Sequence, residues 1–468
     1  MSFKIKKKKI DLPELSIILP VKDQLPYLDR CLSSLQKIQD TSWELVIVND
    51  GSSQETVKYL EQFPQLNIVH HPQSRGFVEA CHAGANKAIG LYLLFLNSDT
   101  ELIEHTSFRK MLDVFKYNKN TGAVGARLLY ENNTIQHSGL SFDSKQMNYM
   151  HRHIGKDMND PVVCVNETVD VVTGACLMTS KELWNKLGGF DKIYSPGYFE
   201  DTDYCLRLKE NGFSTVYCGE ALLYHYQSKS FSGGPSKENF ARNHEIFKQR
   251  WVRTGKVCHY PKIGVAYITK NEEDYIEVSI KSIYPMVSKI VVVDNCSTDK
   301  TLEILEKMED PQKKITVISR KFNNKTEQRN VYAEMITKEN GFDYLWCIDG
   351  DEIFDNENLR KIEHLIFAND NVPAFCWNFI DFWQDFGHVS KGIWESFTGR
   401  KSLINLNICG KIKYMIHTLP ILAENEGDIP AVFCKDIFFF HYSYARSDEK
   451  IKQKIQYYID TPSDFYEV

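Results

Sequence analysis

No stretch of this 468-residue chain approaches the length of about 20 consecutive apolar residues that a membrane-spanning helix requires. A secretory signal is also missing, since the apolar run after the lysine-rich segment KIKKKK at residues 4–9 is too short and too polar for one. The lysine-rich segment is predicted to be a solvated tail, with a weak contact to anionic lipid at the inner face of the membrane as the alternative. These absences favour a cytoplasmic protein, either free or peripheral at that inner face.

The chain also lacks the patterns of a zinc site, a redox pair or a nucleic-acid surface. Its twelve cysteines include no C-x-x-C pair and no zinc-ligand spacing, and several of them lie within apolar segments. They are therefore predicted to be reduced core residues. The net charge of −6 gives no reason for a nucleic-acid partner, so none is expected.

What the chain does contain is a duplication. ELVIVNDGSSQET at residues 44–56 returns as KIVVVDNCSTDKT at 289–301, and YLLFLNSDTEL at 92–102 returns as YLWCIDGDEIF at 344–354. Corresponding residues are about 250 positions apart, which is far longer than a solenoid repeat and indicates a whole duplicated domain. The length and the ordinary hydrophobic content of 43% allow two or three domains with full cores.

Each copy alternates apolar strands with helical stretches. LSIILPV at residues 15–21 is followed by a helix, the strand ELVIVND, a helix, the short strand NIVHH, a helix and the strand LYLLFLN, and the second copy repeats this order from residue 263. This alternation predicts an α/β fold with a mostly parallel, doubly wound sheet in each copy. Ligands of such sheets bind at the carboxyl ends of the strands, where NDGS and NSDT stand.

The same features predict the organisation of the chain. The segment QSKSFSGGPSKENF at 227–240 has the composition of a loop that orders over a ligand, with Lys229 or Lys237 near a phosphate, or else of a plain inter-domain loop. The expected parts are a basic tail at 1–12, a first domain at 13–257, a second domain at 258–446 and a helical tail at 447–468.

Acidic and amide side chains stand at equivalent strand ends of the two copies. They are Asn97 and Asp99 in the first copy, and Asp349, Asp351 and Glu352 in the second. Oxygen ligands two residues apart at a strand end point the same way, which suits a hard divalent cation that bridges phosphate oxygens. Either motif alone could be a turn or a helix cap, but turns need no common position in two domains.

A second acidic cluster occurs only in the first copy. FEDTDYCLRL at residues 199–208 brings Glu200, Asp201 and Asp203 together before a helix-like run. Acids are favoured at a helix N-terminus by the helix dipole, which is one explanation of the cluster. The other is a general base held near the cation and a sugar.

These segments, in this order, resemble the family-2 glycosyltransferases of the GT-A fold. The first copy carries the resemblance over nearly all of 15–250, through SIILPV, NDGS, RGF at 75–77, NSDT, VTGACLM at 172–178, GGFD at 188–191, EDTDYCLR at 200–207 and a downstream His225. The second copy resembles another branch, through TKNE at 269–272, DNCSTD at 294–299, EQRN at 327–330, DGDE at 349–352 and HYSYAR at 441–446. The resemblance implies two tandem GT-A domains, Rossmann-like nucleotide-diphospho-sugar transferase folds with mostly parallel central sheets.

The resemblance also implies a donor and a cofactor. The donor would be a nucleotide-diphosphate sugar, with a UDP-sugar as the first expectation, and the cofactor would be Mn²⁺ or Mg²⁺. Asp99 and Asp351 would hold the cation, with His225 and His441 as further metal or diphosphate contacts. The residues expected to bind the nucleotide sugar are Pro20, Asn49, Asp50, Arg75, Gly76, Asn97, Ser98, Thr269, Asn271, Asp294, Asn295, Gln328, Arg329, Asp349 and Gly350.

The implied reaction is sugar transfer to a glycan, lipid-linked or protein-linked acceptor. Asp201, with Glu200 beside it, would take the proton of the acceptor hydroxyl in an inverting displacement, and two domains favour two successive transfers. The alternative is one active and one degenerate domain, because Asn97 replaces a commoner Asp and no E-D-x-D follows residue 352.

Two other interpretations of the function carry less weight. Nucleotidyl transfer is disfavoured because the loop PVKDQLPY has no glycine to cradle a triphosphate. A glycan-binding scaffold would need no acids at these strand ends.

The tryptophans Trp377, Trp383 and Trp394 either stack on sugar rings or belong to the core.

Overall fold

The chain folds, in a computed structural model, as two compact units, Met1–Val257 and Cys258–Val468. The residues that the structure describes are 12–63, 66–226, 237–369, 371–383, 402–414, 420–424, 428–445, 447 and 449–450. The lysine-rich segment at 4–9, Lys229, Trp394, the side chain of Trp383 and the tail beyond residue 450 lie outside the described residues. No helix in the described part of the chain is long and apolar enough to cross a membrane.

The first unit is built on one mixed sheet. Its strands are β1 Leu15–Val21, β2 Trp43–Asp50, β3 Asn67–His71, β4 Tyr92–Leu96, β5 Thr100–Leu102, β6 Thr121–Leu129, β7 Ile135–His137, β8 Leu140–Asp143, β9 Asn148–His151, β10 Glu167–Val169, β11 Cys176–Ser180 and β12 Ser214–His225. The strand order is β10-β12-β6-β11-β4-β1-β2-β3, while β5 pairs with β12 and β7 with β6. Strands β1 to β4 run parallel, and β11 lies antiparallel between β4 and β6.

The first unit has seven α-helices among its described residues, and most of them pack their apolar faces against this sheet. They are α1 Leu25–Leu35, α2 Gln54–Leu60, α3 Phe77–Lys87, α4 Ser107–Tyr117, α5 Lys181–Leu187, α6 Glu200–Glu210 and α7 Lys237–Phe247, followed by a π-helical turn at Lys248–Val252. Helix α4 shows why: Phe108, Met111, Leu112 and Phe115 recur at helical spacing and are buried. Helix α1 begins with Pro26, whose fixed φ suits a first helical turn.

The second unit repeats this arrangement. Its strands are β13 Ile263–Thr269, β14 Lys289–Asp294, β15 Ile315–Ser319, β16 Tyr344–Asp349, β17 Glu352–Ile353, β18 Ala374–Trp383, β19 Leu403–Asn405, β20 Ile412–Tyr414, β21 Pro420–Leu422 and β22 Ala431–Tyr444. Its helices are α8 Ile276–Ile283, α9 Thr301–Lys307, α10 Lys325–Met335, α11 Asn356–Ala368 and α12 Leu406–Cys409. The strand order β15-β14-β13-β16-β19-β18-β22 matches the order β3-β2-β1-β4-β11-β6-β12 of the first unit, and β17 pairs with β22 as β5 pairs with β12. Strand β19 is antiparallel to both of its neighbours, as β11 is.

The prediction of an α/β fold with a mostly parallel sheet in each copy is therefore confirmed. The continuous apolar runs predicted as buried strands occupy the centres of the sheets: every residue of β1 except Pro20 is buried. Trp377 belongs to the core, because it is 4% exposed and its ring meets that of Trp346 edge-on at 6.0 Å. It therefore cannot stack on a sugar without unfolding its surroundings.

One connection differs between the units. Between β11 and β12 the first unit carries α5 and α6, the helix that begins at Glu200. Between β19 and β22 the second unit carries α12 and the small hairpin of β20 and β21. Among the described residues of 406–430, no helix corresponds to α6.

We expect Gly51, which follows β2, to tolerate no side chain. Its φ is +65°, and a Cβ there would overlap the backbone nitrogen of Ser74. Gly51→Ala should lower the free energy of unfolding of the first unit by more than the about 1–2 kcal/mol that a left-handed backbone costs any side chain. Gly188 is the matched control, since its φ is +76° but nothing lies near its Cβ position. Chemical denaturation of both variants measures the difference, and equal losses would mean that the loop at Ser74 moves aside freely.

Candidate active site

The carboxyl ends of the first and second strands lie side by side in both units. In the first unit Val21 pairs with Asn49, and in the second Thr269 pairs with Asp294. Pro20 sits one residue earlier on β1, opposite Val48, and beyond the part of β1 that pairs with β4. Parallel pairing thus gathers the predicted nucleotide-binding residues at one edge of each sheet.

In the first unit a lysine side chain bonds the turn after the first strand to the loop after the second strand. We call the turn that is held in this way the closed turn. Lys22 donates to the carbonyl oxygen of Gly51 at 2.9 Å. The next residue, Asp23, has a φ of 58° and accepts a hydrogen bond from the backbone of Ser53 at 2.7 Å. These contacts tie the turn after β1 to the loop after β2.

The second unit contains the same closure. Lys270 donates to the carbonyl oxygen of Asn295 at 2.8 Å. Asn271 has a φ of 57°, and its side-chain oxygen accepts from the backbone of Thr298 at 2.8 Å. Sequence reasoning missed both lysines, although each stands directly after the first strand of its copy, in V-K-D and in T-K-N. A ligand contact through Asn271 Oδ1 would share an oxygen that already holds this turn.

Asp50 is surrounded by donors from its own unit. Its carboxylate accepts hydrogen bonds from His71 Nδ1 and Ser74 Oγ, each at 2.7 Å, and from the backbone nitrogens of Arg75 and Gly76, each at 2.9 Å. Burial alone would raise the pKa of Asp50, but the bonds from His71 and from the loop outweigh it and leave that pKa lowered. Asp50 therefore organises the loop after β3, and its predicted contact with a nucleoside stays a prediction.

The counterpart of Asp50 in the second unit is Asn295 rather than Asp294. Asn295 accepts a hydrogen bond from the backbone of Phe322 at 2.8 Å, in the loop after β15. Asp294 corresponds to Asn49, and each accepts from the backbone of the serine three residues later, at 2.9 Å in Asp294 and 3.0 Å in Asn49. Asp294 also accepts from Ser319 Oγ at 2.7 Å. The copies thus conserve positions of hydrogen-bond acceptors, not of charges.

The remaining predicted nucleotide-binding residues divide into buried and accessible ones. Gln328 is 3% exposed, and its amide donates to the carbonyl oxygens of Val293 and Thr269 at 2.5 and 3.3 Å. Arg75 is exposed, so its guanidinium can reach a ligand at the same edge. Arg329 is half-buried, with its guanidinium 5.7 Å from the ring centre of Tyr414.

Each unit brings a carboxylate and an imidazole together, as the sequence predicts. His225 Nε2 lies 3.4 Å from Asp99 Oδ1, and His441 Nε2 lies 3.6 Å from Asp351 Oδ1. The contact arises because the strand that carries the histidine, β12 or β22, pairs antiparallel with the short strand after the aspartate, β5 or β17. Asp99 and Asp351 are 1% and 3% exposed.

These pairs fit a divalent cation as part of its ligand set. A carboxylate oxygen beside an imidazole nitrogen suits Mn²⁺, and the described residues contain no group of three or more His, Cys, Asp or Glu side chains that could hold a metal ion. Two protein ligands leave coordination positions for diphosphate oxygens. His225 Nδ1–H donates to Gln136 Oε1 at 2.5 Å, which fixes the orientation of that ring.

Other predicted residues surround the first pair. Asn97 Nδ2 lies 3.3 Å from His225 Nε2, and its backbone nitrogen donates to the carbonyl oxygen of Ala175 at 2.9 Å. Ser98 is 2% exposed between Asn97 and Asp99. Asp349 and Gly350 occupy the equivalent positions of the second unit at the end of β16.

The three acids at the start of α6 have different surroundings. Asp201 is half-buried, and its oxygens accept from the backbone nitrogens of Gly174 and Thr202 at 2.7 and 2.6 Å. Glu200 is 6% exposed, and its Oε2 is buried without a hydrogen-bond partner. Burial raises the pKa of both carboxyls, that of Glu200 well above its usual range. A neutral Glu200 beside a single ionised Asp201 is the arrangement we favour.

Asp203 is a structural residue. It is fully buried, pairs with Arg207 at 2.7 Å and accepts from Trp251 Nε1 at 2.9 Å. Trp251 lies in the π-helical turn after α7, so this carboxylate joins α6 to that segment. The sequence alone gave no signal for this partnership, because the two residues are 48 positions apart.

The loop before α6 is held by α7. Asn243 is fully buried, and its amide donates to the carbonyl oxygens of Tyr194 and Gly197 at 2.7 and 2.8 Å. Tyr198 and Phe199 follow with φ values of 77° and 71°, a left-handed conformation that is costly for aromatic residues. The strained pair turns the chain directly into Glu200 and so sets the direction of the acids.

The chain matches the sequence model of Glycosyl transferase family 2 over residues 16–182 and 265–421. It is 29% identical over 229 residues to the O-antigen biosynthesis protein RfbC of Myxococcus xanthus, which covers 47% of this chain and 18% of that protein. It is 23% identical over 218 residues to the pre-mycofactocin glycosyltransferase of Mycobacterium tuberculosis, which covers 45% of this chain and 42% of that protein. The chain thus spans less than half of the length of each of these relatives.

Solved structures show a distant likeness. A structure of GalNAc-T7 with UDP, GalNAc and Mn²⁺ aligns with a TM-score of 0.41 at 14% identity, over 52% of this chain and 51% of that chain. The mannosyltransferase PcManGT of Pyrobaculum calidifontis, in complex with GDP-Man and Mn²⁺, aligns with a TM-score of 0.35 at 14% identity, over 53% of this chain and 76% of that chain.

The two neighbouring aspartates of α6 should respond oppositely to removal of charge. Asp203→Asn should lower the free energy of unfolding by about 3 kcal/mol, because it leaves Arg207 buried beside a neutral group. Asp201→Asn should not lower it at pH 7, because burial raises the pKa of Asp201, so that the ionised carboxylate is less stable in the folded chain than in the unfolded chain. Urea denaturation measures both, with Asp113→Asn as the control at an exposed ion pair. Equal destabilisation by both variants would contradict these assignments.

Proposed function

The chain belongs to glycosyl transferase family 2, and on that premise we propose that it is a metal-dependent enzyme that moves sugars from nucleotide-diphosphate donors to an acceptor glycan. The observation that carries the proposal is the paired carboxylate and imidazole, Asp99 with His225, which recurs as Asp351 with His441. In each unit the pair stands at the sheet edge where the ends of the first two strands meet. That edge is where a doubly wound sheet binds its ligand.

The donor would lie across this edge with its diphosphate at the metal pair. Asp99 and His225 would hold Mn²⁺ or Mg²⁺ in the first unit, and the exposed Arg75 would contact phosphate oxygens. A bound cation would offset the negative charge that develops on the leaving nucleoside diphosphate. Asn49 and the main chain of the closed turns would contact the nucleoside, with UDP as the first candidate.

Asp201 would act as the general base. Its half-buried carboxylate remains accessible, and its raised pKa makes it a better proton acceptor than an ordinary aspartate. It would take the proton of the acceptor hydroxyl as that oxygen bonds to the anomeric carbon and the bond to the diphosphate breaks. Glu200 would remain neutral beside it, so that the pair carries one negative charge. A single displacement with one base inverts the anomeric configuration.

Two units favour two successive transfers. Both keep the metal pair and the closed strand edge, and tethering would raise the local concentration of the first product at the second unit. The second candidate is that the second unit binds a donor without transferring its sugar. That candidate is favoured by the connection between β19 and β22, whose described residues include no helix like α6 and no counterpart of Asp201.

The acceptor class is proposed from the relatives. RfbC is named for O-antigen biosynthesis, so a surface polysaccharide or a lipid-linked glycan is the first candidate and a protein-linked glycan the second. The proposed location is the cytoplasm, with a peripheral contact at the inner face of the membrane where a lipid-linked acceptor would be met.

Nucleotide release from UDP-, GDP-, dTDP- and CMP-sugars, with Mn²⁺ or Mg²⁺, tests the function. Asp99→Ala and Asp351→Ala should each abolish release from a different donor if both units transfer, and chelation of the metal should abolish all release. Asp201→Asn should slow turnover in the first unit by about 10²–10⁴-fold while donor binding persists. Asp113→Ala is the control, and wild-type rates in both metal-pair variants would refute the proposal.

A further inference from the structure

A tyrosine follows the metal histidine in each unit, and we propose that these two residues, Tyr226 and Tyr442, are positioning residues for the two metal sites. The inference rests on the metal dependence proposed above. The backbone nitrogen of Tyr226 donates to the carbonyl oxygen of Asp99 at 2.9 Å, and that of Tyr442 donates to the carbonyl oxygen of Asp351 at 3.0 Å. The residue next to each histidine therefore fixes the peptide of the aspartate that faces it.

Each of these rings also packs against a second tyrosine. The ring centres of Tyr226 and Tyr27 are 5.1 Å apart, and those of Tyr442 and Tyr275 are also 5.1 Å apart. Tyr27 lies in the first turn of α1 and Tyr275 caps the N-terminus of α8, so both follow the closed turn after the first strand. The contact joins the strand that carries the histidine to the start of the first helix of its unit, α1 or α8.

The outer contacts of the two rings differ. In the first unit the Tyr226 hydroxyl donates to Glu101 at 2.5 Å, and the guanidinium of Arg30 lies 5.3 Å from the ring centre. In the second unit the ring of Phe382 stacks on Tyr442 at 4.9 Å. The backbone bond and the tyrosine pair are the features that both units keep.

The backbone bond and the tyrosine pair should change the affinity for the metal rather than the affinity for the nucleoside. The aspartate and histidine of each pair are 3.4 to 3.6 Å apart, and a cation needs both ligands directed at one point between them. Because only two protein ligands hold the cation, any motion of the strand that carries the histidine must be lost when the metal binds. This loss weakens the affinity for the metal. Supporting groups around metal ligands typically contribute 10–100-fold in affinity.

The test measures Mn²⁺ bound to the full chain, by the paramagnetic resonance signal of free Mn²⁺, with UDP and GDP present in excess. Tyr226→Ala and Tyr442→Ala should each weaken one of two Mn²⁺ sites by about 10–100-fold and leave the other unchanged. Tyr226→Phe and Tyr442→Phe keep the ring contact and should retain most of the affinity. Tyr92→Ala is the matched control, because it removes a part-buried tyrosine of β4 that packs on Phe115 at 4.8 Å, away from the metal pair. Metal-free nucleotide affinity, measured by calorimetry, should not change in any variant.

The outcomes separate this inference from the proposed function. If both alanine variants bind Mn²⁺ as Tyr92→Ala does, the positioning role is overturned and the metal sites stand. If Mn²⁺ affinity and metal-free nucleotide affinity fall together, the tyrosines support the whole edge and the specific role is again overturned. If the wild-type chain binds no Mn²⁺ beside nucleotide, the metal sites themselves fail and this inference fails with them.

Discussion

Buried carboxylates at the carboxyl ends of the central strands and at the start of α6 are the constraint on which the rest of the first unit depends. An ionised carboxylate away from water is stable only where donors or cations face it. The first unit meets this requirement differently at each position. Asp50 receives hydrogen bonds from His71 at the end of β3 and from three residues of the following loop, and Asp203 receives an arginine and a tryptophan. Asp99 faces a histidine and Asp201 stands beside a buried carboxyl, and these two are the acids for which we propose a role in the chemistry.

Comparison with the second unit shows which of these features the two copies share. The second unit kept the closed turn with its lysine, the carboxylate and histidine pair and the strand order that brings them together. Asn295 took the place of Asp50 without loss of the hydrogen bond to the following loop. The connection that carries Asp201 in the first unit was replaced by a short helix and a hairpin. The proposed donor and metal sites thus belong to the sheet, whereas the proposed general base belongs to a connection that one unit carries and the described part of the other does not.

The elements that follow from local pattern could be predicted from the sequence. Continuous apolar runs such as β1 and β13 indicated parallel strands, and their recurrence indicated equivalent sites at their ends. What could not be predicted depends on partners far along the chain. Nothing in the sequence around Asp50 indicates that His71 and Ser74 donate hydrogen bonds to it. Nothing around Asp203 indicates its hydrogen bond from Trp251. Trp377 was ambiguous for the same reason, because only packing against Trp346 distinguishes a core ring from a binding surface.

Native mass spectrometry of the intact chain, with equal UDP and GDP and with Mn²⁺, tests the central claim that one chain carries two metal–nucleotide sites. The account predicts two nucleotides per chain, each accompanied by one Mn²⁺, and weaker binding of both nucleotides when the metal is withheld. A single bound nucleotide at saturation would contradict it, and so would two nucleotides that bind equally well without the metal.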